Sequence, residues 1–450
     1  MMDFRLVIDT TVATLKPLIR PDWTLIILRD VEGKVRIVAD APAPGLPPSA
    51  QPDDTECTEI ESRLRSAIGG WLGSLTPVWR VPAGKRHKNK PTTIDHILNA
   101  IMAMWRPIDL GSSVHGRLYL VERHVGHEAW TGDSPYDPPW SREEVKLGNA
   151  PPIITFFSHK GGVGRSTALV ATAANLTRAG KNVLVLDLDL EAPGLDALFN
   201  GLVSTAHDAA PELGVLDLLM LPSVDDQALE RACGRASDAV LGGGGGMLWV
   251  LPAGKVDDQF MEQLARLDVA AGGDRDGLLQ RLRTLFQSIK VKFGLLDYIL
   301  VDARAGFHDL GGVMLASLSH GAVMVITASP QSEHGLRRVA GLLGSSGGSS
   351  EGPLPLILAH GMAPERGSEL LEEEQRGVRE KAYKLLLDAR YYGAQVPPEE
   401  QEGLAHDPIT LYWTGPLRGK GGPLAKNVVT LLCDRPYTDL TERLTALFPR

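Results

Sequence analysis

The rhythm of apolar and polar positions changes near residue 150. Ahead of it, FRLVID (4–9), WTLIILRD (23–30), KVRIVAD (34–40) and RLYLVE (117–122) read as strands, the second and third joined by the turn-like VEGK. ESRLRSAIGGWLGSL (61–75) and TTIDHILNAIMAMW (92–105) space their apolar residues at helical intervals. These elements predict a smaller α+β domain over 1–125. From Ile153 onward, the continuous apolar runs IITFFS, NVLVLDLD, YILVDA and AVMVITAS alternate with helical segments, the first running from Ser166 to about Ala179. Strands that are apolar on both faces belong to a parallel sheet covered on both sides, so 151–450 reads as α/β with a doubly wound, mostly parallel sheet. Residues 126–150 carry prolines and small polar residues that suit an extended linker. The glycine-rich stretches 242–246 and 344–352 read as surface loops.

The 450 residues are enough for two to three domains. No run approaches the ~18 apolar residues of a membrane span. MMDFRLVIDTTVATL carries Asp3 and Asp9 and has no basic leader before an apolar run, so a cytoplasmic protein is expected. The net charge of −9 does not promote a nucleic-acid partner. Cys57, Cys233 and Cys433 lack metal-ligand or disulfide spacing and are expected as buried free thiols. Six of the eight tryptophans precede residue 150, which argues for different cores on its two sides. The run Lys85, Arg86, His87, Lys88, Lys90 reads as a solvated loop, and the first domain as a binding module rather than a second enzyme.

The chemistry begins after IITFFS, where HKGGVGRST opens a helix. Gly161, Gly162 and Gly164 let successive backbone N–H groups, with that of Val163, converge on phosphate oxygens at the helix's positive end. Such a site is expected to bind a nucleoside triphosphate. In the pattern GxxxxGK[ST] the last glycine is Gly164, the lysine position holds Arg165, and the Mg²⁺-binding hydroxyl is Ser166, followed by Thr167; His159 stands at the first glycine position. Asp187 and Asp189 close the next strand in NVLVLDLDLEAPGL, and LDYILVDARAGFHDLGG ends its strand in Asp302 with Gly306 four residues on. Carboxylates at the carboxyl ends of parallel strands lie beside the phosphate crevice.

Lys160 followed by two glycines resembles the deviant Walker A loop of the ParA/MinD (SIMIBI-class) P-loop ATPases, in a KGGVGRS variant. The resemblance covers about 151–450 and takes in MLWVLPAG (247–254) and VITASPQSEHGLRRV (325–339). It implies ATP and Mg²⁺ as cofactors and a homodimer in the ATP state, with Lys160 reaching the partner's nucleotide. It further implies that Asp189 orients or deprotonates the attacking water, that Asp187 lies near Mg²⁺, that Asp302 is the Walker B residue and that the Gly306 N–H senses the γ-phosphate. His360 stands where the family often places an adenine-holding Asn. Arg165 is wider than the family's lysine, which implies slow turnover. The variant, with DLDLEAPG and DxRxG, resembles a subgroup encoded beside prokaryotic signalling or defence effectors. The leading expectation is therefore an ATP-dependent switch that regulates or positions an unidentified partner protein. The alternatives are a DNA-coating partition ATPase, with Arg337, Arg338, Arg379, Lys381 and Lys384 as its basic candidates, and a non-hydrolysing ATP-bound scaffold. A kinase is disfavoured because Tyr391, Tyr392 and Tyr437 do not make a tyrosine-rich tail. TDLTERLTALF (438–448) lacks the basic face of a membrane anchor and is expected to pack into the core.

Overall fold

The computed structural model describes residues 3–30, 33–39, 52–73, 77–80, 106–111, 116–122, 128–131, 136–199, 203–204, 210–221, 223–236, 245–273, 275–346, 352–413 and 430–450. The predicted helix 92–105 and the basic run 85–90 lie outside them, as does most of the loop 344–352. The chain folds as two compact units, Met1–Val125 and Gly126–Arg450.

In the first unit β1 (Thr24–Arg29), β2 (Val35–Ala39), β3 (Val78–Arg80), β4 (Arg106–Pro107) and β5 (Arg117–Glu122) form one sheet in the order β3-β2-β1-β5-β4. Central β1 is antiparallel to β2 and parallel to β5, where Arg29 lies opposite Glu122 and donates to both its oxygens at 2.7 and 2.8 Å. Two helices, α1 (Val7–Leu15) and α2 (Asp54–Ile68), pack on each other and on this sheet. The α2 start is set by a reciprocal cap between Asp53 and Glu56. FRLVID, expected to be a strand from its local run of apolar residues, is not one: Phe4–Leu6 is a 3₁₀ turn and Val7 begins α1. The buried residues Val7, Thr11 and Leu15 recur every four positions, a helical period that a six-residue window cannot show.

The second unit is built on a nine-stranded sheet, order β14-β13-β12-β6-β11-β7-β10-β9-β8. Its strands are β6 (Ile153–Phe157), β7 (Val183–Leu188), β8 (Val203–Ser204), β9 (Gly234–Arg235), β10 (Leu248–Leu251), β11 (Tyr298–Ala303), β12 (Gly321–Ile326), β13 (Leu356–Ala363) and β14 (Ile409–Tyr412). Neighbours from β14 to β10 are all parallel, and only the short β9 runs against them, pairing antiparallel with β10 on one side and β8 on the other. Every residue of β6, β7, β11 and β12 is buried, as the continuous apolar runs require. Alternation along β12 sends Val323 and Val325 into one core and Ala322, Met324 and Ile326 into another, the latter shared with α6 (Pro330–Ser346) and α7 (Glu369–Asp388). The sheet is thus covered on both faces.

The helix after β6, α3 (Arg165–Arg178), is buried almost all round. Its alanines permit close approach on the sheet side, and α8 (Tyr437–Leu447) lies against it. Leu440, Leu444 and Phe448 enter the same core, and Tyr298 of β11 donates its hydroxyl to the Phe448 carbonyl at 2.6 Å. The C-terminal segment packs into the core, as its missing basic face predicts. Two further helices, α4 (Asp258–Gly273) and α5 (Arg275–Lys292), precede β11. Among the cysteines, Cys233 is buried while Cys57 and Cys433 are half-buried, all three free.

The segment expected as an extended linker belongs instead to the second unit. Its described residues include a short helix, Arg142–Lys146, capped reciprocally by Ser141 and Glu144, and the buried Trp130 and Trp140. Trp140 stacks on His320, which is 1% exposed. The His320 Nδ1 accepts the Ile153 N–H at 3.1 Å, so its proton sits on Nε2, which donates to the Trp140 carbonyl at 3.0 Å. One neutral imidazole thus pins the incoming segment to the start of β6. Burial pushes its pKa down to about 4. As pH falls from about 6.5 through about 4, the unfolded imidazole takes a proton the folded one refuses, removing about 3 kcal/mol of stability. In an NMR titration the His320 ring signals stay at their neutral positions down to pH about 5; a midpoint near pH 6.5 contradicts this assignment.

Candidate nucleotide site

Because β11 lies between β6 and β7, the segments that follow all three converge at one edge of the sheet. Residue 302 lies directly opposite 187 in the parallel register, and Asp189 follows two residues beyond. The loop His159–Gly164 leaves β6 with Gly162 at φ 73° and Gly164 at φ 94°, angles that side chains rarely adopt. Gly161 has no positive φ, so only two of the three loop glycines are demanded by backbone geometry. Gly164 caps α3 without a side-chain oxygen, leaving the leading N–H groups of the helix to an anion. Val163 is buried, and β13 presses on its carbonyl so closely that a Cβ at Gly361 would lie 2.3 Å away.

Arg165, expected on the phosphates, points inward. Its Nε donates to Asp302 Oδ1 at 2.6 Å, and its Nη2 donates to Asp189 Oδ2 at 2.8 Å. Ser166 Oγ donates to the other Asp302 oxygen at 2.6 Å. Arg165, Asp189 and Asp302 are 9%, 8% and 2% exposed. Carboxylates gathered at the ends of adjacent strands need a counter-charge, and a planar guanidinium can reach two of them at once. Burial disfavours the Arg165 charge, but Asp302 and Asp189 outweigh it and raise its pKa. Asp302 is raised by burial, against the opposing pull of Arg165.

Asp187, expected beside the cation, holds backbone instead. Its Oδ1 accepts the Asp189 N–H at 3.0 Å, and its Oδ2 accepts those of Gly194 and Leu195 at 3.3 and 3.2 Å. Burial, and then the charge of Asp302, push its pKa up to about 7. The Gly306 N–H, expected to sense phosphate, donates to the Ser158 carbonyl at 3.1 Å. Lys160 is exposed and has no ion pair among the described residues, and Thr167 is half-buried. His360 is buried within β13, 2.9 Å from the Glu374 carboxylate.

Several contacts here are invisible in sequence. Glu191 pairs with Arg304 and lies 3.0 Å from His308 Nε2, clasping the segment after β7 to the segment after β11. Phe307 packs between His159 and Trp130, with ring centroids 4.4 and 4.9 Å apart, and the Trp130 indole N–H donates to the His308 carbonyl at 2.7 Å. The broken glycine position at His159 was the available signal. Of the basic DNA candidates, Arg337 pairs with Asp388, Arg379 with Asp407 and Lys381 with Glu333. No helix among the described residues is long and apolar enough to cross a membrane.

The donor set fits Mg²⁺. This ion prefers hard oxygens and takes one or two carboxylates with a hydroxyl, substrate phosphates and water, rather than an all-protein cage. Ser166 and Asp302 supply such a pair, with Asp189 across the guanidinium. Among the described residues no cluster of three or more His, Cys, Asp or Glu offers a self-sufficient cage.

A ParA family profile, described as "NUBPL iron-transfer P-loop NTPase", matches residues 149–215, the stretch holding the loop, α3 and both aspartates of β7 and its end. The second unit resembles the ParA/MinD P-loop NTPases. The septum site-determining protein MinD of Synechocystis sp. is 27% identical over 192 residues, 42% of this chain and 59% of that protein. MinD of Helicobacter pylori is 25% identical over 193 residues, 42% of this chain and 58% of its own length. The chain spans between half and three-fifths of the curated MinD relatives it matches. The solved MinC:MinD cell division complex of Aquifex aeolicus aligns at 20% identity and TM-score 0.39 over 66% of this chain and 96% of that one.

The Trp130 anchor is testable on the NTPase domain's stability. Trp130→Phe keeps most ring packing but drops the N–H bond to His308, costing about 1 kcal/mol, whereas Trp130→Ala costs about 3–5 kcal/mol. Denaturant unfolding reads both, and equal, near-zero costs contradict the anchor.

Proposed function

We propose that the chain is an ATP-dependent molecular switch that dimerises on ATP, hydrolyses it slowly and so regulates or positions a partner protein. The observation that carries this reading is the glycine loop opening onto α3 beside the hydrogen-bonded Ser166–Asp302 pair. The backbone N–H groups from Gly161 to Arg165, with the Ser166 and Thr167 hydroxyls, would cradle the phosphates. Mg²⁺, held by Ser166 and Asp302, would neutralise phosphate charge. Asp189, freed from Arg165, would orient the attacking water and take its proton; while the guanidinium holds its Oδ2, that oxygen is a poor base. Asp187 serves this by fixing the loop that carries Asp189. Arg165, on leaving the carboxylates, would place a planar cation on the phosphates. Lys160, exposed on the loop, is the group read as crossing to a second copy. The MinD relatives are septum site-determining proteins, which supports a positioning role; a partner protein rather than DNA suits the net charge of −9 and the internally paired basic residues.

Phosphate release and mass in solution decide the reading. Wild type releases phosphate slowly and doubles its mass with ATP; Lys160→Ala still binds ATP but stays monomeric, and Asp189→Ala binds ATP without turnover and stays dimeric. A wild-type monomer at saturating ATP overturns the switch, and a DNA shift that weakens steeply with salt favours the partition reading instead.

A further inference from the structure

The oxygens suited to a divalent cation are the ones Arg165 holds. Its Nε and Nη2 occupy Asp302 Oδ1 and Asp189 Oδ2, and the Ser166 hydroxyl is turned onto Asp302 Oδ2. Arg165 itself is 9% exposed. A divalent cation and a guanidinium on the same carboxylates repel at contact distance, in a setting where water screens little. The two cations therefore exclude each other, and exclusion is reciprocal: whatever weakens the hold of Arg165 strengthens that of the metal. A phosphate in the loop weakens that hold, because it offers the guanidinium a two-oxygen anionic partner at the end of α3.

We propose that Arg165 is a placeholder for the divalent cation, holding Asp302 and Asp189 closed to metal until a phosphate draws it away. The inference rests on the ATP and Mg²⁺ reading above and adds a condition to it: metal entry follows phosphate entry. It also gives the Arg165 substitution a purpose. A lysine ammonium is a point charge, whereas the guanidinium fork spans both carboxylates through separate nitrogens. Arg165 acts here as a positioning residue, through the carboxylates rather than on the reacting atoms.

The test uses the full-length, nucleotide-free protein and Mn²⁺ alone, with free Mn²⁺ followed by electron paramagnetic resonance. Arg165→Ala and Arg165→Gln gain one saturable Mn²⁺ site at least about ten-fold tighter than wild type, within the usual range of site coupling. Arg165→Lys falls between. Adding Asp302→Asn to Arg165→Gln removes the gained site, which assigns it. Thermal unfolding keeps the test decisive where a variant is weakened: Mn²⁺ raises the Tm of Arg165→Gln and leaves that of wild type unmoved. Equal Mn²⁺ affinity in wild type and both neutral variants, or a gained site that survives Asp302→Asn, overturns the proposal. Binding of a fluorescent ATP analogue to wild type separates the two readings. ATP binding with no change in Mn²⁺ affinity removes only the placeholder; a gained Mn²⁺ site without ATP binding removes only the nucleotide switch.

Discussion

The buried ion cluster of Arg165 with Asp302 and Asp189 is the constraint on which the rest of the candidate site depends. Carboxylates withdrawn from water at the ends of parallel strands are costly unless paired, and the pairing must come from a group with correct geometry and few competing contacts. Arg165 meets both demands because it is the first residue of α3, held in place by the left-handed turn at Gly164 and by the sheet beneath. The same ion cluster ties the loop after β6 to the ends of β7 and β11, three segments widely separated in the chain.

That convergence is a product of sheet order. Insertion of β11 between β6 and β7 brings residue 302 opposite residue 187 and leaves Arg165 a single step from both carboxylate-bearing ends. The surroundings reinforce it. The α8 helix covers α3, the Glu191–Arg304–His308 clasp joins the two segments around the site, and Trp130 fastens the incoming chain to the second of them. A change in the segment carrying Phe307 and His308 is therefore felt at Trp130.

Much of this was legible in sequence because it depends on local pattern. The apolar runs identify the parallel strands, and Ser166, Asp189 and Asp302, singled out beside the glycine loop, are side chains that the fold brings together. What stayed hidden depends on three-dimensional neighbours. The spacing of Arg165 within the loop suggests a phosphate ligand, but its side-chain direction is decided by an aspartate 137 residues away. Asp187 and Asp189 look alike in the sequence, yet one holds backbone and the other faces the guanidinium. FRLVID was misread because the apolar run inside six residues conceals the four-residue period that continues to Leu15. The segment 126–150 was read as a linker from its prolines, while Trp130 and Trp140, whose bulk favours burial, determine where it packs.

The account stands on the strength of the contact between Arg165 and Asp302 in the nucleotide-free chain. A double-mutant cycle with Arg165→Met and Asp302→Asn, read by denaturant unfolding of the NTPase domain, measures it directly. Each single change leaves a buried group unpaired and costs about 3–5 kcal/mol, while the double variant is far less destabilised than their sum, giving a coupling of at least about 2 kcal/mol. Additive costs, with a coupling below about 0.5 kcal/mol, would show that the guanidinium does not hold the site together.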